Sequence, residues 1–164
     1  MSAPPLADLI RDFYLERLAL LMRHEDVAVT ITGYDINNAY QYIVAREETH
    51  VSWLQHALLD LGAEPPPDPS RAAKLSAKGE EWKRFAAEDA RANAQFVEKW
   101  RPRVEQITNA RHKGMLNVIL GEMLEHKRLF DQAAQGRRDL IGTSLEINDH
   151  SGAVMPVRFV GDID

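Results

Sequence analysis

Apolar residues return at three- and four-residue steps in four separate stretches of the chain, which is the period of amphipathic helices. The first stretch runs from about Ala7 to His24, marked by Leu9, Phe13, Leu20 and Leu21, with Pro4 and Pro5 suiting its entrance. The second runs from about Asp35, read as an N-cap, to Leu61 before Gly62, and its stripe is Tyr40, Ile43, Val44, Val51, Leu54 and Leu58. The third opens after Gly79 and sets Trp82, Phe85, Phe96 and Trp100 on one face. The fourth carries Met115, Val118, Ile119, Met123 and Leu129 and ends near Gly136. The pattern predicts an all-α four-helix bundle over residues 1–142, with no repeat of solenoid period.

The connections set the expected stacking. Val27 to Tyr34 is short enough for an antiparallel hairpin, even if Val27 to Ile31 is locally extended. Gly62 to Lys78 holds Pro65-Pro66-Pro67 and Pro69, so it is not helical. Its roughly 17 residues reach about 55 Å when extended, against about 37 Å for a helix of roughly 25 residues. It is therefore expected to cross over along the bundle and leave helices two and three parallel. Pro102 is read as ending helix three or starting helix four, with Arg101 to Asn109 irregular. The tail, residues 143–164, alternates Leu145, Ile147, Val154, Val157 and Phe159 around His150-Ser151-Gly152, the pattern of a short hairpin or extended arm.

Composition narrows the chemistry. The 164 residues are 45% apolar and 27% charged, an ordinary globular balance. A formal charge of −5 and a pI near 5.7, without a basic stripe, speak against nucleic acid as the main partner. No stretch approaches the roughly 18 apolar residues of a membrane span, and the start lacks a leader pattern, so a cytoplasmic protein is expected. The absence of cysteine excludes disulfides and thiolate-held iron or zinc within this chain.

Six ligand-type residues fall on the apolar stripes. Glu16 lies with Leu9, Phe13 and Leu20; Glu47 and His50 lie with Ile43, Val44, Val51 and Leu54. Asp89 sits among Trp82, Phe85, Phe96 and Trp100, while Glu122 and His126 share a face with Met115, Val118 and Leu129. A charged carboxylate in a bundle core is costly unless it is paired or bound to metal. Four carboxylates and two imidazoles together offer the oxygen and nitrogen donors that suit iron or manganese. The competing reading is a metal-free polar network, for instance a glutamate held by Arg46 or Arg111. His24, His56, His112 and His150 are read as surface or loop residues, and Tyr14, Tyr40 and Tyr42 as packing residues near the site.

Glu47-Glu48-Thr49-His50 followed by Val51-Ser52-Trp53-Leu54 resembles the Glu-x-x-His helix of ferritin-like di-iron proteins, rubrerythrins above all. Glu122-Met123-Leu124-Glu125-His126 followed by Lys127-Arg128-Leu129-Phe130 resembles the fourth helix of that family, where Glu and His stand four apart. The resemblance covers Leu9 to about Gln135. It implies two iron ions, with manganese as an alternative, bridged by Glu47 and Glu122. His50 and His126 would be the terminal nitrogens, and Glu16 and Asp89 the terminal carboxylates. Two departures stand out. Ala92 occupies the place of a second helix-three glutamate, unless Glu125 or Glu88 substitutes, and no rubredoxin domain is present.

The function so implied is a redox enzyme acting on dioxygen or peroxide, drawing electrons from an external donor protein and assembled as a homo-oligomer, a dimer in the first instance. A ferroxidase subunit of an iron store is the second reading. A metal-free bundle serving as an interaction module is the third.

Overall fold

The computed structural model describes residues 5–71 and 73–142; the hairpin or arm expected of residues 143–164, His150 included, lies outside the described residues. Four helices make up the fold, α1 (Leu6–Thr30), α2 (Tyr34–Asp60), α3 (Trp82–Glu105) and α4 (Ala110–Ala134), and no strand occurs among the described residues. None of these helices is long and apolar enough to cross a membrane.

Local chemistry explains most of the boundaries. Gly62 (φ 73°) follows the end of α2 in the left-handed conformation, and the Ala63 amide donates back to the Leu58 carbonyl at 2.9 Å. Gly136 (φ 83°) does the same after α4, where the Arg137 amide reaches the Gln132 carbonyl at 3.0 Å. Asn109 caps α4, its side chain accepting from the His112 amide at 3.1 Å. Three expectations are corrected. α1 runs on past His24, its expected end, through Val27 to Thr30, and its last turn is tied to α2 by Asn37, whose amide donates to the Ala28 carbonyl at 2.9 Å. Pro102 is absorbed in the last turn of α3, which runs on to Glu105. Asp35 lies inside the first turn of α2, with Gly33 at the cap position.

α1 packs chiefly on α2, and α3 on α4, with smaller α1–α3 and α2–α4 interfaces closing the square. Contacts across α1 and α3 run in opposite sense: Phe13 meets Phe96 and Trp100, whereas Arg23 meets Glu88 and Asp89. Across α2 and α4 the sense is also opposite, from Arg46 with Glu122 to Asp60 with Arg111. The segment from Leu61 to Glu81 rests against α1, where Arg71 pairs with Glu25 and Asp26, and Leu75 packs on the core.

The apolar core is divided in two. One cluster holds Phe13, Tyr14, Leu54, Leu58, Phe96, Trp100, Leu116 and Ile119; the other holds Val27, Ile36, Tyr40, Trp82, Phe85, Phe130 and Ala133. Apart from His112 in the first turn of α4, the buried polar residues fall where one cluster gives way to the other: Arg17 and His24, Glu47 and His50, Asp89 and Asn93, and His126. A polar layer therefore crosses the middle of the bundle.

Candidate metal centre

The layer is built around Glu47, whose side chain is 0% exposed. His24 Nδ1 lies 2.8 Å from both of its carboxylate oxygens, and Arg17 Nη2 lies 3.0 Å from Oε1. An ionised carboxylate only accepts, so His24 carries its proton on Nδ1, and in the neutral ring Nε2 is left as a lone pair. Burial opposes ionisation of Glu47, but Arg17 and then His24 outweigh it and hold the carboxyl well below the usual range. His126 Nδ1 stands 3.8 Å from the same Oε1.

His50 and Glu122 form the flank toward α4. Arg17 Nη2 lies 3.4 Å from His50 Nδ1, and a guanidinium can only donate, so the proton of His50 sits on Nε2 and is given to Glu122 Oε2 at 2.6 Å. Burial first, and Arg17 second, pull the His50 imidazole down to about 4, so it is neutral near pH 7. Arg46 grips Glu122 with two bonds of 2.7 and 3.2 Å. Burial opposes ionisation of Glu122, yet the bonds from Arg46 and His50 win and lower its carboxyl. Glu122 is 29% exposed, so this flank is where the layer meets water.

Asp89 forms the opposite flank. Tyr40 donates to its Oδ2 at 2.7 Å, Arg23 Nε donates to Oδ1 at 3.3 Å, and His24 Nε2 lies 3.9 Å from Oδ1. Burial raises the Asp89 carboxyl despite the opposing pull of His24, Tyr40 and Arg23. The Tyr40 phenol is pushed well above its ordinary value by burial and by Asp89.

Five of the six residues expected from sequence are thus gathered: Glu47, His50, Asp89, Glu122 and His126. Glu16 is not among them. It is bound by Lys99 and by Trp100 Nε1 (3.0 Å) on the outer side of the α1–α3 interface, because α1 turns Arg17 inward instead. Glu125 pairs with Arg128 and Glu88 with Arg23, so neither enters the layer. His24 and His112 are buried, against the surface placement expected, while Val118, expected in the core, is 50% exposed. Sequence reasoning missed Arg17 and His24 and undervalued Tyr40. The signal for the first two was their seven-residue spacing on a helix longer than Ala7 to His24.

The donor set can be tested for a cation on its orphaned atoms. His24 Nε2 and His126 Nδ1 are buried without a hydrogen-bond partner, and each faces a carboxylate oxygen at 3.8–3.9 Å. Unpartnered imidazole nitrogens beside carboxylates suit a borderline divalent ion. The side chains must close inward to bind one, since no three His, Asp or Glu groups among the described residues already stand in ligand geometry. The six-residue set for two ions does not assemble, with Glu16 outside and a guanidinium inside. A separate cavity of about 590 Å³ lies at the end of the bundle, lined by Leu6, Leu9, Trp100, Arg103 and Ile107, away from this layer.

Compared with protein-family models, with curated proteins and with solved structures, the chain matches none.

Proposed function

We propose that the chain is a ferritin-like, rubrerythrin-like bundle whose polar layer holds iron, or manganese in its place, and that it acts as a redox enzyme on dioxygen or peroxide. The observation that carries this reading is the pair of buried imidazole nitrogens, His24 Nε2 and His126 Nδ1, without partners and each facing a carboxylate oxygen. The opposite sense of the α1–α2 and α1–α3 contacts supports the crossover topology, with α2 parallel to α3 and residues 61–81 spanning the bundle. The metal-binding residues in this reading are Glu47, Asp89, His126 and His24, with Glu122 as a further carboxylate of the layer beside them. When bound, iron would supply the electrons for reducing the oxidant.

The chain's own residues shape that chemistry. Tyr40 and Arg23 orient Asp89, and Arg46 covers Glu122 at the half-exposed flank. The two apolar clusters on either side keep water from the buried part of the layer around Glu47 and Asp89. These 164 residues hold no cysteine for a thiolate iron centre, and an external donor protein is the source of electrons in this reading. A homodimer is the expected assembly.

A second reading is favoured by one observation: each carboxylate of the layer already has a guanidinium, Arg17 on Glu47, Arg23 on Asp89 and Arg46 on Glu122. That is the metal-free network of an interaction module. Excess ferrous iron added under air, followed by iron per chain and particle mass, separates the readings. Protein-bound iron that is oxidised once and stays on a small oligomer supports the enzyme. Soluble mineral in a large shell means storage, and no bound iron means the metal-free module.

A further inference from the structure

Resting on the reading of the polar layer as a cation site, we propose that Arg17 takes the place of a second metal ion, so that the centre accepts one divalent cation per chain. α1 presents a permanent organic cation where the ligand set expected from sequence had a carboxylate. The Arg17 side chain is 0% exposed, and its guanidinium touches both members of the α2 Glu-x-x-His pair, Glu47 at 3.0 Å and His50 at 3.4 Å. A guanidinium does not give up its charge in a protein.

Two consequences follow. His50 is engaged at both nitrogens, accepting from Arg17 and donating to Glu122, so it has no free lone pair for an ion. The unpartnered imidazole nitrogens of the layer belong to His24 and His126, and the ion would draw on these with Glu47 and Asp89. The charge count points the same way. Three carboxylates, Glu47, Asp89 and Glu122, face one buried guanidinium, and one divalent ion brings the layer to neutrality. A second would leave two surplus positive charges in a layer whose only half-exposed carboxylate is Glu122. Arg23 and Arg46, each about a third exposed, have their charge screened by water where they stand, whereas Arg17 has no exposed surface.

Native mass spectrometry of the full chain, loaded anaerobically with Mn²⁺ or Co²⁺, tests this directly, with circular dichroism reporting the fold. The wild type should carry one ion per chain, and Arg17→Glu, which restores a carboxylate to α1, should carry two. Should Arg17→Glu not fold, Arg17→Met decides: removing the repulsive cation should tighten binding of the single ion at least tenfold. Two ions on the wild type, one ion on folded Arg17→Glu, or unchanged affinity in Arg17→Met would each overturn the proposal. No ion on any of them would overturn the cation-site reading beneath it.

Discussion

Replacing Arg17 with Met in the metal-free protein removes one half of an ion pair that has no exposure on either side. At an effective dielectric constant of about 20, charges about 4 Å apart attract by roughly 4 kcal/mol, and the Arg17–Glu47 contact is closer than that, at 3.0 Å. Glu47 would keep His24 but lose its permanent counter-charge, and breaking a buried pair from one side typically costs about 3–5 kcal/mol. Glu47→Gln should cost a similar amount by stranding the guanidinium, which already has Nε and Nη1 without partners. The double variant should cost much less than the sum, with a coupling of at least about 2 kcal/mol, because neither charge is then left alone. Urea denaturation reads this out: with a slope of about 2 kcal/mol per M, each single variant loses roughly 1.5–2.5 M in midpoint. A loss below about 1 kcal/mol in either single variant, or strictly additive effects, would refute the view that this pair organises the layer.

Three further outcomes are expected. The His50 imidazole lies at about 4 in the folded protein and near 6.5 unfolded, so the unfolded chain takes up the proton first. Metal-free protein should hold its full stability above about pH 6.5 and lose roughly 3 kcal/mol as pH falls toward 4, a slope that His50→Gln should flatten in urea titrations. Tyr40→Phe should cost about 1–3 kcal/mol and move the Asp89 carboxyl further up, visible by carbon NMR, since the phenol bond holds that carboxyl down. Glu16→Gln should leave metal content by mass spectrometry unchanged, whereas Glu47→Gln should abolish it; equal loss in both would return Glu16 to the site.

The helices were legible in the sequence because each is long and strongly periodic, and Gly62 and Gly136 mark two of the ends. The facing of α1 was harder to read. Between Ala7 and Leu21 apolar residues lie on two adjacent stripes, one through Leu9, Phe13, Glu16 and Leu20, the other through Ile10, Tyr14, Arg17 and Leu21. Only His24, Val27 and Ala28 choose between them, and they lie at or beyond the expected end of the helix at His24. Choosing the first stripe brought in Glu16 and left out Arg17 and His24, a rotation of about 100°. α2, α3 and the end of α4 carry a single inward stripe each, so Glu47, His50, Asp89 and His126 were placed correctly. Arg46 pairs with Glu122 as the metal-free alternative foresaw, whereas Arg111 pairs with Asp60 at the surface.

The most direct measurement is a crystal of the protein grown with Mn²⁺ and examined by anomalous scattering at the manganese edge. A single peak inside the bundle, about 2.0–2.3 Å from a Glu47 oxygen and a His126 nitrogen, is the expected result. A layer without anomalous density at saturating Mn²⁺, with Arg17 still closed on Glu47, would contradict the claim that it binds metal.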